Sequence, residues 1–241
     1  MANPILKEGT FARAPAGAVM TVQGTVSRAL VLLLVALAGA STVWGRALSD
    51  PFSPVVGGGL VFGALGGLVF ALVTLFKREW APVTAPIYAL LEGVFLGAIS
   101  AQFEFRYPGI AIQAVALTFG TCLAMLLLYK ARVLQATEGF RRGVFAATGA
   151  IALVYLASMV LGLFGVQIPF LHEGGPIGIL VSVVIVGVAA LNLVIDFDMI
   201  ERGAASGAPK YMEWYGAFGL MVTLVWLYLE ILRLLSKLNR R

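Results

Sequence analysis

Charged residues in this chain fall in clusters, and between the clusters lie seven apolar runs, each long enough to cross a lipid bilayer. Seventeen residues separate Arg28 from Arg46, 26 separate Asp50 from Lys77, and 23 separate Arg106 from Lys130. Twenty-nine lie between Arg142 and His172 and 22 between Glu173 and Asp196. The 24 residues from Glu79 to Glu104 are interrupted only by Glu92, and the run from Glu213 to Arg233 only by Glu230. A helix rising 1.5 Å per residue needs about 20 residues to span the hydrocarbon core. Seven transmembrane helices in one bundle follow, an all-α membrane fold. A transmembrane β-barrel would alternate apolar and polar residues over about 10 positions, and VLLLVALAGA and VSVVIVGVAAL do not.

Residues 1–25 form a polar arm expected on the cytoplasmic side. The spans are expected at about 28–47, 54–76, 81–102, 108–129, 143–166, 176–198 and 217–237. Arg28 followed by ALVLLLVALAGA also resembles a signal-peptide core, but its lead is long, and an uncleaved first helix is the reading kept. Only 12% of residues are charged, against about 25% in soluble domains. The net charge of +5 is spread over loops, which argues against nucleic acid as a partner and makes the bilayer the expected surroundings. With the N-terminus inside, inner segments carry eleven bases from Lys7 to Lys210, and outer loops carry Arg46 and Arg106. That bias places the N-terminus in the cytoplasm. Seven crossings then put Arg233, Lys237, Arg240 and Arg241 outside, unless the last segment is re-entrant.

Enzymatic readings find little support. The single Cys122 allows neither a disulfide nor a cysteine metal site, and His172 stands beside Glu173 in an outer loop without further ligands. No span contains a histidine for a serine protease. NLVIDFD lacks the Gly-x-Gly-Asp element of intramembrane aspartyl proteases, and Lys237 lies too late for a retinal Schiff base. No enzyme and no resident cofactor are expected. Gly59, Gly63, Gly67 and Ala71 repeat a small residue at every fourth position of the second span, the pattern of close helix packing. No internal repeat of the kind many transporters show is found.

Carboxylates within the spans carry the chemistry, because an ionisable group in a bilayer is costly and marks a site by default. Asn192 and Asp196 share a face of the sixth helix. Asp198 is turned about 200° away, toward headgroups and water with Glu201 and Arg202. Glu92 sits mid-span with no base on its own helix; it must be protonated, face a wet cavity or meet a base from another helix. Glu230 either pairs with Arg233 on its own helix or faces another acid. Two acids drawn together in a low dielectric share a proton, which makes a pH-sensitive latch and a candidate site for Ca²⁺.

The chain resembles the Bax inhibitor-1 family in its bacterial branch. IDFDMI is similar to the family's aspartate-x-x-x-Ile ending of the sixth helix, and LYLEILRLL to its Leu-Tyr-Leu-Asp motif in the seventh. The opening NPIL…MTVQGTVSRA resembles a bacterial subfamily. The resemblance implies a bacterial inner-membrane protein in which Asp196 and Glu230 form a pH-sensitive pair gating a calcium leak. It also implies that Lys77 or Arg78 supplies a base contacting the closed pair. The chain departs from the pattern in carrying Glu for Asp at 230, in a longer stretch between the acids, and in Glu92. Two other readings stay open: a non-conducting regulator of a membrane partner such as a protease, and a proton-coupled carrier of a small solute using Glu92. Contact between Asp196 and Glu230 requires residues 211–218 to lie along the interface, with the last crossing starting near Gly219. A helix starting at Glu213 would put Glu230 about 25 Å along it and out of reach.

Overall fold

The computed structural model describes residues 19–50, 53–165 and 175–239. They form seven long helices: α1 (Val22–Ser49), α2 (Pro54–Phe76), α3 (Ala81–Arg106), α4 (Ile110–Lys130), α5 (Glu138–Leu163), α6 (Pro176–Ala205) and α7 (Met212–Leu238). All seven are long and apolar enough to cross a membrane. Successive helices run in alternate directions. At the near end of the bundle α1, α3, α5 and α7 begin and α2, α4 and α6 finish; the far end is the opposite one. The arm 1–18, His172 with Glu173, and Arg240 with Arg241 lie outside the described residues.

Local chemistry sets the helix ends. The Thr21 hydroxyl accepts the Gly24 N–H at 2.9 Å and opens α1, and Thr137 accepts from Phe140 to open α5. Pro54 and Pro176 begin α2 and α6, where the missing N–H costs nothing. Before α4 the chain turns through Gly109 at φ 85°, a left-handed conformation that favours glycine. The Glu104 carboxylate accepts from the backbone N–H groups of Gly109 and Ala111, placing negative charge at the start of α4. A 3₁₀ turn, Arg78–Trp80, leads into α3.

Helix α7 lies at the centre, packed on α1, α3, α4 and α6. Leu193, Val194, Leu227 and Leu232 anchor one core between α4, α6 and α7. Leu32, Tyr88, Phe218 and Met221 anchor a second between α1, α3 and α7. A third joins α1, α2 and α3 through Val43, Val56 and Ala98. The closest approach is between α1 and α3, where Gly93 lies on the backbone of Ala36 and Gly97 on that of Ala40. The α2 stripe faces the other side of α3: Gly59 meets Val94 and Ala98, Gly63 meets Leu91 and Phe95, and Gly67 meets Glu92.

Two expectations need correction. Helix α1 begins at Val22, inside the expected arm and ahead of the expected span start at 28, so Arg28 lies in its second turn. Helix α7 is continuous from Met212 to Leu238, so residues 211–218 do not form a separate interfacial segment, and no reversal breaks the last crossing. The reason is Glu213. It is a charge by sequence, but 1% exposed, with the Thr21 N–H, the Thr21 hydroxyl and Lys210 Nζ donating to it at 3.1, 2.9 and 2.8 Å. Compensated in this way, it starts a buried helix.

Candidate functional site

Thr223, Glu230 and Lys237 follow one another at intervals of seven along α7, which puts them on one face about 10 Å apart. All three are buried. Lys237 Nζ donates to Gly178 O at 3.0 Å and Ser182 Oγ at 2.9 Å in the first turns of α6. The Thr223 hydroxyl, which also donates to Gly219 O at 3.3 Å, lies against the carboxyl of Asp196. Glu230 Oε1 accepts from Tyr155 OH at 2.7 Å and from Arg233 Nη1 at 3.0 Å.

Helix α5 answers with its own interval of seven: Arg141, Thr148 and Tyr155. Arg141 pairs with Asp198, Thr148 Oγ1 accepts from Asn192 Nδ2 at 2.9 Å, and Tyr155 bridges Glu230 and Arg233. Val144 alone is buried among the described side chains of this helix. Polar rungs at three levels therefore hold α5 to α6 and α7, with little apolar contact between them.

Asp196 and Glu230 do not meet. Asp196 stands at the level of Thr223, and Glu230 is seven residues farther along, held by Tyr155 and Arg233. With α7 starting at Met212, the geometric requirement for the pair fails, and neither a shared proton nor a Ca²⁺ bridge joins the two acids in this arrangement. Glu230 adopts the intrahelical pairing with Arg233 instead, extended by Tyr155. Among the described residues no three His, Cys, Asp or Glu side chains converge on a metal position.

Asp196 carries a buried carboxylate oxygen with unspent capacity. It is half-buried, faces α7 and Cys122 of α4, and its Oδ2 is buried without a hydrogen-bond partner among the described residues. Asn192, one turn earlier, also donates to Val188 O at 2.9 Å. Asp198 is 13% exposed between Arg141 and Arg202, more enclosed than its expected place among headgroups. Lys77 caps α2, and the Arg78 guanidinium lies 5.3 Å from the Tyr215 ring centre at the near end. Tyr215 precedes Glu230 by fifteen residues, about 22 Å along the helix, so neither base reaches Glu230. Glu92 is half-buried against Gly67 and has no hydrogen bond or ion pair with the described residues.

Sequence reasoning passed over Glu213, Lys237, Arg141 and Tyr155 as members of buried polar contacts. The intervals of seven, 141–148–155 and 223–230–237, were the available signal. They stayed hidden because Arg141 reads as a loop base and Lys237 as part of a basic tail.

A family model described as Bax inhibitor 1 like matches residues 3–240, nearly the whole chain. No curated protein and no solved structure matches it.

Proposed function

The chain belongs to the Bax inhibitor 1 like family, and from that premise we propose that it is a passive, pH-sensitive cation leak, with Ca²⁺ as the leading ion. Its path would run along the junction of α5, α6 and α7, and Asp196 would gate it. One observation carries this reading: the buried, unpartnered Oδ2 of Asp196, set between the Arg141–Asp198 pair toward the near end and the Lys237–Ser182 contact toward the far end. Protonated, Asp196 is tolerated in a dry interior. Ionised there, it costs several kcal/mol unless water or a cation reaches it. Deprotonation therefore favours wetting of the junction, and cation flux rises with pH. The carboxylate and the Thr223 hydroxyl offer the oxygen ligands that a hard cation takes.

The gate differs from a two-acid latch. Glu230 is neutralised by Arg233 and Tyr155, so it serves to hold α5 in place. Calcium flux into liposomes of the purified protein, followed over a pH series, tests the assignment. Asp196→Asn should flatten the pH dependence, whereas Glu230→Gln should lower thermal stability and leave the slope. A flat pH profile in the unmodified protein, or an unchanged one in Asp196→Asn, overturns the proposal. If Asp196→Asn only lowers stability and flux is absent throughout, a non-conducting regulator of a membrane partner is the better reading.

Placement follows from the charges. Among the described residues nine Lys and Arg lie toward the near end and four toward the far end, which favours a cytoplasmic N-terminus in a bacterial inner membrane. A reporter fused to the N-terminus and accessible from outside intact cells would refute this. Glu92, uncompensated beside Gly67, favours a second reading as a proton-coupled carrier. Proton-linked solute uptake lost in Glu92→Gln but retained in Asp196→Asn would select it.

A further inference from the structure

A cavity of about 490 Å³ opens at the near end of the bundle, between the end of α4, the turn into α5 and the end of α6. Its wall includes Lys130, Arg132, Thr137, Asp198, Glu201 and Arg202. Both acids are already engaged. Asp198 is held by Arg141 and by Arg202 at 3.1 Å, and Glu201 accepts from Tyr129 OH at 2.6 Å. Lys130 and Arg132 have no acidic partner among the described residues.

Arg132 is also the one non-glycine residue at positive φ among the described residues, at 57°. A left-handed residue just past a helix end is an ordinary C-terminal cap, here closed by Val133 N–H donating to Leu128 O at 3.0 Å. The turn is held there by Arg132 N–H donating to Tyr129 O at 3.0 Å and Gln135 Nε2 donating to Arg132 O at 3.1 Å. Arg132 and Lys130 thus place a guanidinium and an ammonium on the wall of one polar cavity.

We propose that this cavity binds a phosphate group. A guanidinium fork matches phosphate oxygens in pairs, an ammonium adds a point charge, and the Thr137 hydroxyl can donate a further bond. At the end of a membrane bundle the nearest phosphates are headgroups of acidic phospholipids, for which basic pockets between helices are suited. Free phosphate offers the same chemistry.

Native mass spectrometry of the full-length protein in detergent, with phosphatidylglycerol or phosphatidylcholine added, tests the site. Phosphatidylglycerol should be retained over phosphatidylcholine, and Lys130→Gln/Arg132→Gln should weaken that retention roughly thirtyfold, from two surface bases. Lys77→Gln/Arg78→Gln removes the same charge at the same end and should retain the lipid. Arg132→Gly suits the left-handed turn, so it should fold with an undiminished melting temperature yet bind weakly. Displacement of the lipid by millimolar inorganic phosphate assigns the cavity to the free anion, and persistence assigns it to the headgroup; both keep phosphate recognition. Equal retention in the Lys130/Arg132 variant and the parent, or equal loss in the Lys77/Arg78 control, overturns the site.

Discussion

Replacing Gly63 by alanine adds one methyl group to the α2–α3 contact, and the geometry gives its cost. A Cβ built there would lie 2.8 Å from Phe95 N, 2.9 Å from Leu91 O and 2.9 Å from Phe95 Cβ. Ordinary contact begins at 3.4 Å, so the two helices must separate by roughly half an ångström at this level. Two of the three obstacles are backbone atoms, which cannot rotate out of the way. Overpacking of this kind costs about 1–3 kcal/mol. Alanine also gains about 1 kcal/mol over glycine in helix propensity, which would blur a single measurement.

Gly57, on the same helix, has nothing within 4 Å of its added Cβ. Gly57→Ala therefore gains the propensity term without the clash, and the difference between the two variants isolates the packing cost. At 2–4 °C per kcal/mol for a domain of this size, Gly63→Ala should melt about 2–12 °C below Gly57→Ala in the same detergent. Equal melting temperatures, or Gly63→Ala the higher, would refute the close approach of α2 and α3.

Glu213→Ala removes the buried acceptor shared by Thr21 and Lys210, and leaves the exposed Thr21 hydroxyl and N–H to bond water. Because Lys210 is half exposed, the loss should be about 2–3 kcal/mol, below that of a fully buried pair. Thermal unfolding checks it, and a shift under about 2 °C would count against the network. Tyr155→Phe deletes the hydroxyl between Glu230 and Arg233, and with membrane hydrogen bonds averaging about 0.6 kcal/mol it should cost about 1 kcal/mol. A double-mutant cycle with Arg233→Gln should return a coupling near 0.6 kcal/mol, and no coupling would mean that this rung is not formed.

The seven helices were legible because lipid and core both demand apolar side chains, so each crossing is written as an uninterrupted run whichever way its residues face. Axial register between neighbouring helices has no such signature. Whether Glu230 reaches Asp196 depends on where α7 starts, and that turns on Glu213, whose charge marks a boundary until the hydroxyl of Thr21, 192 residues away in sequence, is found beside it. Asp196 was identifiable as a buried acid within its run, but its partner was not, since Thr223 has no charge to draw attention. The α2 glycine stripe was visible as a period of four. The closer α1–α3 approach carries the same period of four on α3, in Ala89, Gly93, Gly97 and Ala101, and was passed over because Glu92 drew the attention in that span.

The two kinds of seam in this bundle respond differently to a charge or a ligand. Lipid tails solvate leucine as well as another helix does, so apolar burial alone gives little reason for two membrane helices to associate. Where Gly93 and Gly97 let backbones touch, close packing holds α1 to α3, and any separation loses many contacts at once. Helix α5 lacks that contact and depends on Arg141, Thr148 and Tyr155, each able to exchange its partner for water. Opening at α5 thus costs a few polar bonds that entering water replaces, whereas opening at α1–α3 has no such compensation. A charge appearing on Asp196 would draw water to the nearest seam that yields, and the polar seam along α5 is the one built to yield.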